Sequence, residues 1–421
     1  MPGGRISMKF ALASYGTRGD IEPSMSIGRE LQRRGHQVRL AVPPDLVDFV
    51  EAADLAAVSY GPQLQEFMRE DLARDLWTEI IHNPLGALRE LWEPIAAHWN
   101  AASAILEELA GDADLLATGL NFEQAASNVA EHYNIPLIAL HHFPMRPNAQ
   151  LAPSLPGPLV RATSIASEWL MWRTTRDVEN TQRHALHLPT ANHRSPRRMT
   201  ERHTLEIQAY DASCFPGLAT EWAHFGDRRP FTGALTMELD TDEDAGVEEW
   251  IETGQPPVCF ATGSIAVVSP SDTIRLFATA CEELGQRALI CAGGTDFNGI
   301  ALPNHVKVVG AVNYSRVFAK CRAVVHHGGA GTTAASLRAG VPTLILWSTS
   351  DQPYWGSQVK RLHVGTARRA CKTTAKSLAA DLRKILSPDY ASRAREFAGR
   401  MSTPAQSSMR AADLFEGEVL G

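Results

Sequence analysis

The chain has 421 residues, 44% apolar and 21% charged, which is the balance of a folded globular protein with room for two or three domains. Lys and Arg number 40 against 47 Asp and Glu, a net charge of −7, and this excludes a broad surface that grips a nucleic-acid polymer. No run of about 18 apolar residues offers a transmembrane helix, and Met1 to Arg5 opens no signal-peptide stretch, so a cytoplasmic protein is expected. Met8-Lys9-Phe10 reads as a start, with residues 1–7 as an extension.

The elements alternate. Ile6 to Ser14 reads as a strand, Gly16 to Asp20 as a glycine-rich turn, and Pro23 as part of the first turn of a helix that Gly35 ends. Gln37–Val42, Leu115–Thr118 and Pro136–Leu140 read as further strands, and Leu64 to Leu109 as helical, with Trp92 and Trp99 on one face and Trp77 before them. After Thr241 a second series begins: strands at Val258–Thr262, Ala288–Ala292, Val306–Val309, Ala323–His326 and Pro342–Trp347, with helices such as Ser271–Leu284 and Thr332–Ala339 between them. Alternation of this kind implies parallel sheets with right-handed crossovers. The expected fold class is α/β, with two doubly wound, Rossmann-like domains of about 200 residues each and the active site in a cleft between them. The acidic, aperiodic stretch 233–246 is the expected linker, with an N-terminal domain over 1–232 and a C-terminal one over 247–403. The cysteines, Cys214, Cys259, Cys281, Cys291, Cys321 and Cys371, include no CxxC pair and read as buried free thiols in a reducing compartment.

The most informative run is His326-His327-Gly328-Gly329-Ala330-Gly331-Thr332-Thr333, which follows a strand and opens a helix. Glycines let backbone approach a ligand, and a helix N-terminus offers unpaired N–H groups and partial positive charge, so the turn suits phosphate oxygens, with His327 and the Thr332 hydroxyl as further partners. No Gly-Lys-Ser/Thr ends it, so it is not a Walker A loop.

The text HHGGAGTTAASLRAGVPTLILW followed by DQPYWGSQV, with GTRGDIEP near the start, resembles the family 1 glycosyltransferases of GT-B type. It is most similar to the subgroup of sterol, glycopeptide-antibiotic and mycobacterial glycopeptidolipid glycosyltransferases, and HHFPMRPN at 141–148 is similar to the mycobacterial members. The resemblance covers nearly the whole chain. It implies a GT-B fold, with two Rossmann-like domains facing a central cleft and a last helix, 404–421, returning to the N-terminal domain. It implies an inverting hexosyltransferase that uses a UDP- or dTDP-sugar as donor and a hydroxyl of a hydrophobic acceptor such as a glycolipid, glycopeptidolipid, sterol or antibiotic-like natural product. By the same resemblance His327, Gly328, Gly329, Gly331 and Thr332 hold the donor diphosphate, as do Gly263 and Ser264, although this chain reads Ala-Thr-Gly-Ser where the family often has Gly-Phe-Gly-Ser. Asp351 and Gln352 match the pair that bonds the transferred sugar, and Val312 the backbone that reads the pyrimidine.

Transfer of a sugar to a hydroxyl needs a base, and the resemblance assigns it to Asp20. A carboxylate is ionised at neutral pH and can take the proton as the new bond forms, without a free alkoxide. The other reading of Asp20 is a helix cap, as it is for Asp351. The departing diphosphate would be stabilised by the helix end at 329–333 and by His327, which needs no cofactor and no metal. Asp112-Ala113-Asp114 and Asp240-Thr241-Asp242 have the form of metal-binding pairs but read as solvated carboxylates. His141 and His142, after the fifth strand, are candidates for the acceptor pocket or for assisting Asp20.

Arg194 to Arg202 (RSPRRMTER) reads as a solvated loop, with an anionic membrane surface as the alternative partner, which would make the protein peripheral on the inner face. Glu168 to Trp172 (EWLMW) reads as core, with an acceptor lining or a membrane-facing patch as alternatives. Two other functions share the fold: a nucleotide-sugar epimerase, against which the Gly16–Asp20 turn and Asp351-Gln352 argue, and a non-catalytic helper, against which intact Asp20, His327 and Asp351 argue.

Overall fold

A computed structural model describes residues 7–64, 84–152, 155–263, 269–348 and 351–420. The chain divides into two compact units. Unit 1 comprises Met1–Ala212, Pro216–Leu235 and Ala405–Gly421, and unit 2 comprises Ser213–Phe215 and Thr236–Pro404.

Unit 1 holds a six-stranded parallel sheet made of β1 (Lys9–Ala13), β2 (Gln37–Val42), β3 (Ala56–Ser59), β4 (Leu115–Thr118), β5 (Leu137–His141) and β6 (Leu205–Gln208), in the order β3-β2-β1-β4-β5-β6. Unit 2 repeats the plan with β7 (Val258–Ala261), β8 (Ala288–Cys291), β9 (Val306–Val309), β10 (Ala323–His326), β11 (Thr343–Trp347) and β12 (Gly365–Arg369), in the order β12-β11-β10-β7-β8-β9. Central strands such as β4 (LLAT) and β8 (ALIC) are buried along their whole length, as strands covered on both faces must be. Along β7, Val258 and Phe260 join the core under the helices Pro270–Glu283 and Ala375–Ile385, while Cys259 and Ala261 face Val317 and Phe318 on the other side.

This winding order decides where ligands go. In each sheet the chain starts at a central strand, builds outward, then returns to build the other half. The reversal falls between β1 and β4 in unit 1 and between β7 and β10 in unit 2. The loops leaving two such strands diverge, and the gap beyond their carboxyl ends is the natural crevice.

The helix Pro404–Leu420 packs within unit 1. Phe415 meets Phe10 edge-on with centroids 5.8 Å apart, and Arg34 donates to Asp413 and Glu416 at 2.7 Å each. Several boundaries differ from the sequence expectation. The strands β3, β6 and β12 were not foreseen, and the helix Asp244–Glu252 begins inside the stretch expected to be linker. Pro23 lies inside the helix Arg18–Arg33 and not in its first turn, because the helix already begins at Arg18. The helix Pro84–Ala110 carries Trp99, which is buried and donates to Gln182 at 3.0 Å; Trp77 and the side chain of Trp92 lie outside the described residues. All six cysteines are free; five are buried and Cys371 is exposed. Among the described residues no helix is long and apolar enough to cross a membrane.

Candidate functional site

The crevice of unit 1 is built on the turn after β1. Gly16 takes a φ of 145°, and a Cβ there would stand 2.4 Å from Oδ2 of Asp20, so the glycine is what lets this carboxylate fold back on the turn. Thr17 is the helix N-cap. Oδ2 of Asp20 accepts from the Thr17 N–H at 2.7 Å and from its hydroxyl at 2.9 Å, which is a capping box. Asp20 is thus the third helical residue and not the cap itself. Its other oxygen, Oδ1, lies 3.6 Å from Nε2 of His142. Asp20, His142, Ser14, Gly119, Leu120 and Leu140 line a pocket at this crevice, between the loops that leave β1 and β4.

The two adjacent histidines part company. His142 lines that pocket. His141 ends β5 and points to the other face of the sheet, where it is 1% exposed and bonds Oε1 of Glu123 at 2.8 Å. His141 therefore does not line the pocket. It belongs to a buried charge network in which Arg146 bonds Glu123 at 2.9 Å and Glu206 at 2.6 Å, and Arg229 bonds Glu206 at 2.6 Å. Burial alone would raise the Glu206 pKa, but Arg146, His141 and Arg229 outweigh it and hold the group at about 2. Burial likewise opposes ionisation of Glu123, and Arg146 and His141 overcome it. The run after β5 is thus a scaffold: Arg146 fastens it to the sheet, and Asn148 donates to the carbonyls of Pro144 and Arg146 at 3.1 and 2.7 Å.

The arginine run is not a solvated loop. Ser195–Glu201 is helical, Arg198 is buried against Glu179, Arg194 pairs with Glu168 at 3.0 Å and Arg197 with Glu201 at 2.9 Å. The EWLMW run divides. Trp172 is buried and donates to Glu179 at 3.1 Å, whereas Trp169 is exposed, as are Leu159 and Ile165 on the same helix, Gly157–Ala185.

The crevice of unit 2 falls between the loops after β7 and β10, and His326 of β10 pairs in register with Ala261 of β7. The next residue, His327, is clasped by glycines. A Cβ on Gly329 would lie 2.5 Å from its Nε2, and one on Gly263 would lie 2.9 Å from its Cε1 and Nδ1. Burial lowers the His327 pKa, and the Ala261 backbone beside the ring only partly opposes this, so the ring is neutral at pH 7. Gly329 caps the helix Ala330–Arg338, so the N–H groups of Ala330, Gly331 and Thr332 have no partner within the helix. The Gly328 N–H is committed elsewhere: it donates to Nδ1 of His326 at 3.0 Å. A third loop, unforeseen from the sequence, joins the crevice. Gly294 donates to the Gly263 carbonyl at 3.2 Å, and a Cβ on Gly293 would stand 1.9 Å from that same oxygen. The glycine pair following β8 was its only signal.

Asp351 precedes the helix Gln352–Arg361 without bonding its first turn through the side chain; its Oδ2 accepts from the Trp355 indole at 3.2 Å. Gln352 accepts from the Ser348 N–H at 2.8 Å and packs beside Gly328, where a Cβ would lie 3.2 Å from its own. Val312 is buried in the core beside Val309 and Val317. Ser264 lies outside the described residues. The Asp-x-Asp pairs are tied into structure: Asp112 pairs with Lys9, Asp114 accepts from the Lys9 N–H, and Asp240 bonds Asn313 and Arg316. Among the described residues no three His, Cys, Asp or Glu side chains gather as metal ligands.

Comparison with known proteins places these features in a family. Residues 293–411 match the erythromycin biosynthesis protein CIII-like C-terminal domain, and residues 10–93 match the glycosyltransferase family 28 N-terminal domain. An uncharacterized glycosyltransferase of Mycobacterium tuberculosis is 55% identical over 412 residues, covering 97% of this chain and 98% of the relative. The vancomycin aglycone glucosyltransferase of Amycolatopsis orientalis is 28% identical over 416 residues, covering 94% of each. In fold, the glycosyltransferase VinC, solved in complex with dTDP, aligns with a TM-score of 0.66 at 17% identity, over 98% of this chain and 100% of that one.

Proposed function

The chain belongs to the GT-B glycosyltransferases of family 1, and on that premise we propose that it is an inverting enzyme that moves a hexose or deoxyhexose from a UDP- or dTDP-sugar to a hydroxyl of a hydrophobic acceptor. The natural-product character of its relatives supports an antibiotic-like acceptor, and the dTDP bound by VinC supports a nucleotide donor.

One observation carries the reading: a carboxylate whose Oδ2 is fixed by Thr17 presents Oδ1 to a pocket at the winding reversal of unit 1. In the proposed step the acceptor oxygen bonds the anomeric carbon while its proton passes to Oδ1 of Asp20. The bond from that carbon to the diphosphate oxygen breaks, and a single displacement inverts the configuration. Negative charge builds on the leaving diphosphate. The N–H groups of Ala330, Gly331 and Thr332 would meet it, with the His327 ring beside them as a further partner. Asp351 and Gln352 would hold the sugar hydroxyls, and the backbone near Val312 the pyrimidine. The scheme assigns no step to a metal.

The test incubates labelled UDP-glucose and dTDP-deoxysugars with the protein, with and without a panel of hydroxylated lipids, sterols and aglycones, in EDTA. A new glycoside of inverted configuration is expected. A changed sugar formed without acceptor would make the protein an epimerase, and loss of all activity in EDTA with rescue by magnesium would overturn the metal-free scheme.

A further inference from the structure

His327 has a neighbour with a different task. His326 is the last residue of β10, is 2% exposed, and takes no part in the proposed chemistry. Its ring bridges two parts of the glycine turn. Nδ1 accepts the Gly328 N–H at 3.0 Å, and Nε2 faces Oγ of Ser336 at 3.5 Å, one helical turn beyond the phosphate-facing N–H groups. The proton directions are fixed by the surroundings. Ser336 donates its own hydroxyl hydrogen to the Thr333 carbonyl at 2.9 Å and accepts from the Thr343 hydroxyl at 2.8 Å. Ser336 Oγ therefore has only acceptor capacity left for the imidazole, so the ring carries its hydrogen on Nε2 and a lone pair on Nδ1.

Gly328 needs that lone pair. It has a φ of 99°, and a Cβ there would stand 2.6 Å from Ile345, so the backbone is turned tightly into the sheet with its N–H pointing inward. Without an acceptor inside, this N–H would be buried unsatisfied, and the turn would have to roll to rescue it. Rolling Gly328 would swing Gly329, the helix cap, and with it the N–H groups of Ala330 to Thr332.

We propose that His326 is a positioning residue for donor binding: its Nδ1 holds Gly328 so that the helix N-terminus is aimed at the diphosphate. The proposal deepens, and rests on, the reading of this turn as the donor site. Burial first, and then His327 beside it, lower the His326 pKa and keep the ring in the neutral form that the role demands.

The test compares three variants by calorimetry with UDP and dTDP. His326→Asn places a carbonyl oxygen near the Nδ1 position; His326→Gln places its oxygen near the Nε2 position; His326→Leu supplies neither. The nucleotide Kd is expected to rise on the order of tenfold or more in the Leu and Gln variants and to stay near wild type in the Asn variant. Equal binding by all three, or rescue by Gln as good as by Asn, would overturn the proposal. Should the Leu variant not fold, the Asn and Gln pair still decides. Amide hydrogen exchange at Gly328 separates this idea from the donor reading: protection in wild type and Asn with rapid exchange in Gln is expected whether or not nucleotide binds. Absence of nucleotide binding in the wild type with that exchange pattern intact would remove the donor reading alone.

Discussion

Oδ1 of Asp20 stands 3.6 Å from Nε2 of His142, while Oδ2 of the same carboxylate is occupied by Thr17. The two oxygens thus divide structural and chemical work. Asp20→Asn separates them, because an amide oxygen can still accept from the Thr17 N–H but cannot take a proton. The fold and the donor affinity are expected to survive, with kcat falling about 10²- to 10⁴-fold. Thermal unfolding, nucleotide calorimetry and turnover together check this; near-normal turnover would move the base elsewhere.

His142 lines the same pocket as Asp20 and faces its Oδ1. If its role runs through that carboxylate, its loss should not add to the loss of Asp20. His142→Ala is expected to slow turnover roughly tenfold, and the double variant with Asp20→Asn to be no slower than Asp20→Asn alone. Additive losses in the cycle would give His142 an independent role.

His327 is clasped between Gly263 and Gly329, so truncating it leaves the turn's backbone in place. His327→Ala is expected to weaken nucleotide binding on the order of tenfold and to lower kcat further, since the charge it meets grows in the transition state. Unchanged affinity and rate would end its assigned role.

The glycines give a sharper contrast. Gly293 has a φ of 57°, and its missing Cβ would sit 1.9 Å from the Gly263 carbonyl, so Gly293→Ala must displace the loop that bears on His327. Loss of nucleotide binding and a lower Tm are expected. Gly246, in the helix Asp244–Glu252, is exposed, and a Cβ there would meet nothing within 4 Å; Gly246→Ala should stabilise by about 0.4–1 kcal/mol. Equal effects of the two would show that crowding at the crevice is not what fixes Gly293.

These relationships are unevenly legible in the sequence. The turn at 328–331 is readable because only glycine tolerates such close approach, and the buried strands are readable because both their faces are apolar. β6 is hidden by Glu206 and Gln208, which look like loop residues until Arg146 and Arg229, distant in sequence, neutralise the carboxylate. Arg198 passes for a solvated residue for the same reason, since its partner Glu179 lies on another helix. The separation of His141 from His142 follows from strand alternation and turns on where β5 ends, by a single residue. The early helix start at Arg18 does have a local signal, Thr17 followed three residues later by Asp20, but the glycines around it point to a turn.

The buried charges set an acid limit on stability. The folded-state pKa values of His326 and His327 are lowered, so as pH falls below about 6.5 the unfolded chain takes up protons first and stability declines. Glu123 and Glu206 are also lowered, with Glu206 at about 2. Their contribution is full above the unfolded value of 4.5 and is lost as pH falls from there toward 2. Glu168, which burial raises, acts in the opposite sense: its folded form takes up a proton as pH falls toward 4.5, so it offsets part of the first decline and not the second. Urea unfolding from pH 8 to pH 3 should therefore show two declines, one beginning near 6.5 and a steeper one below 4.5. His326→Asn, which has no titrating ring, should shrink the first and leave the second; an unchanged first decline would mean that His326 is not buried as a neutral base.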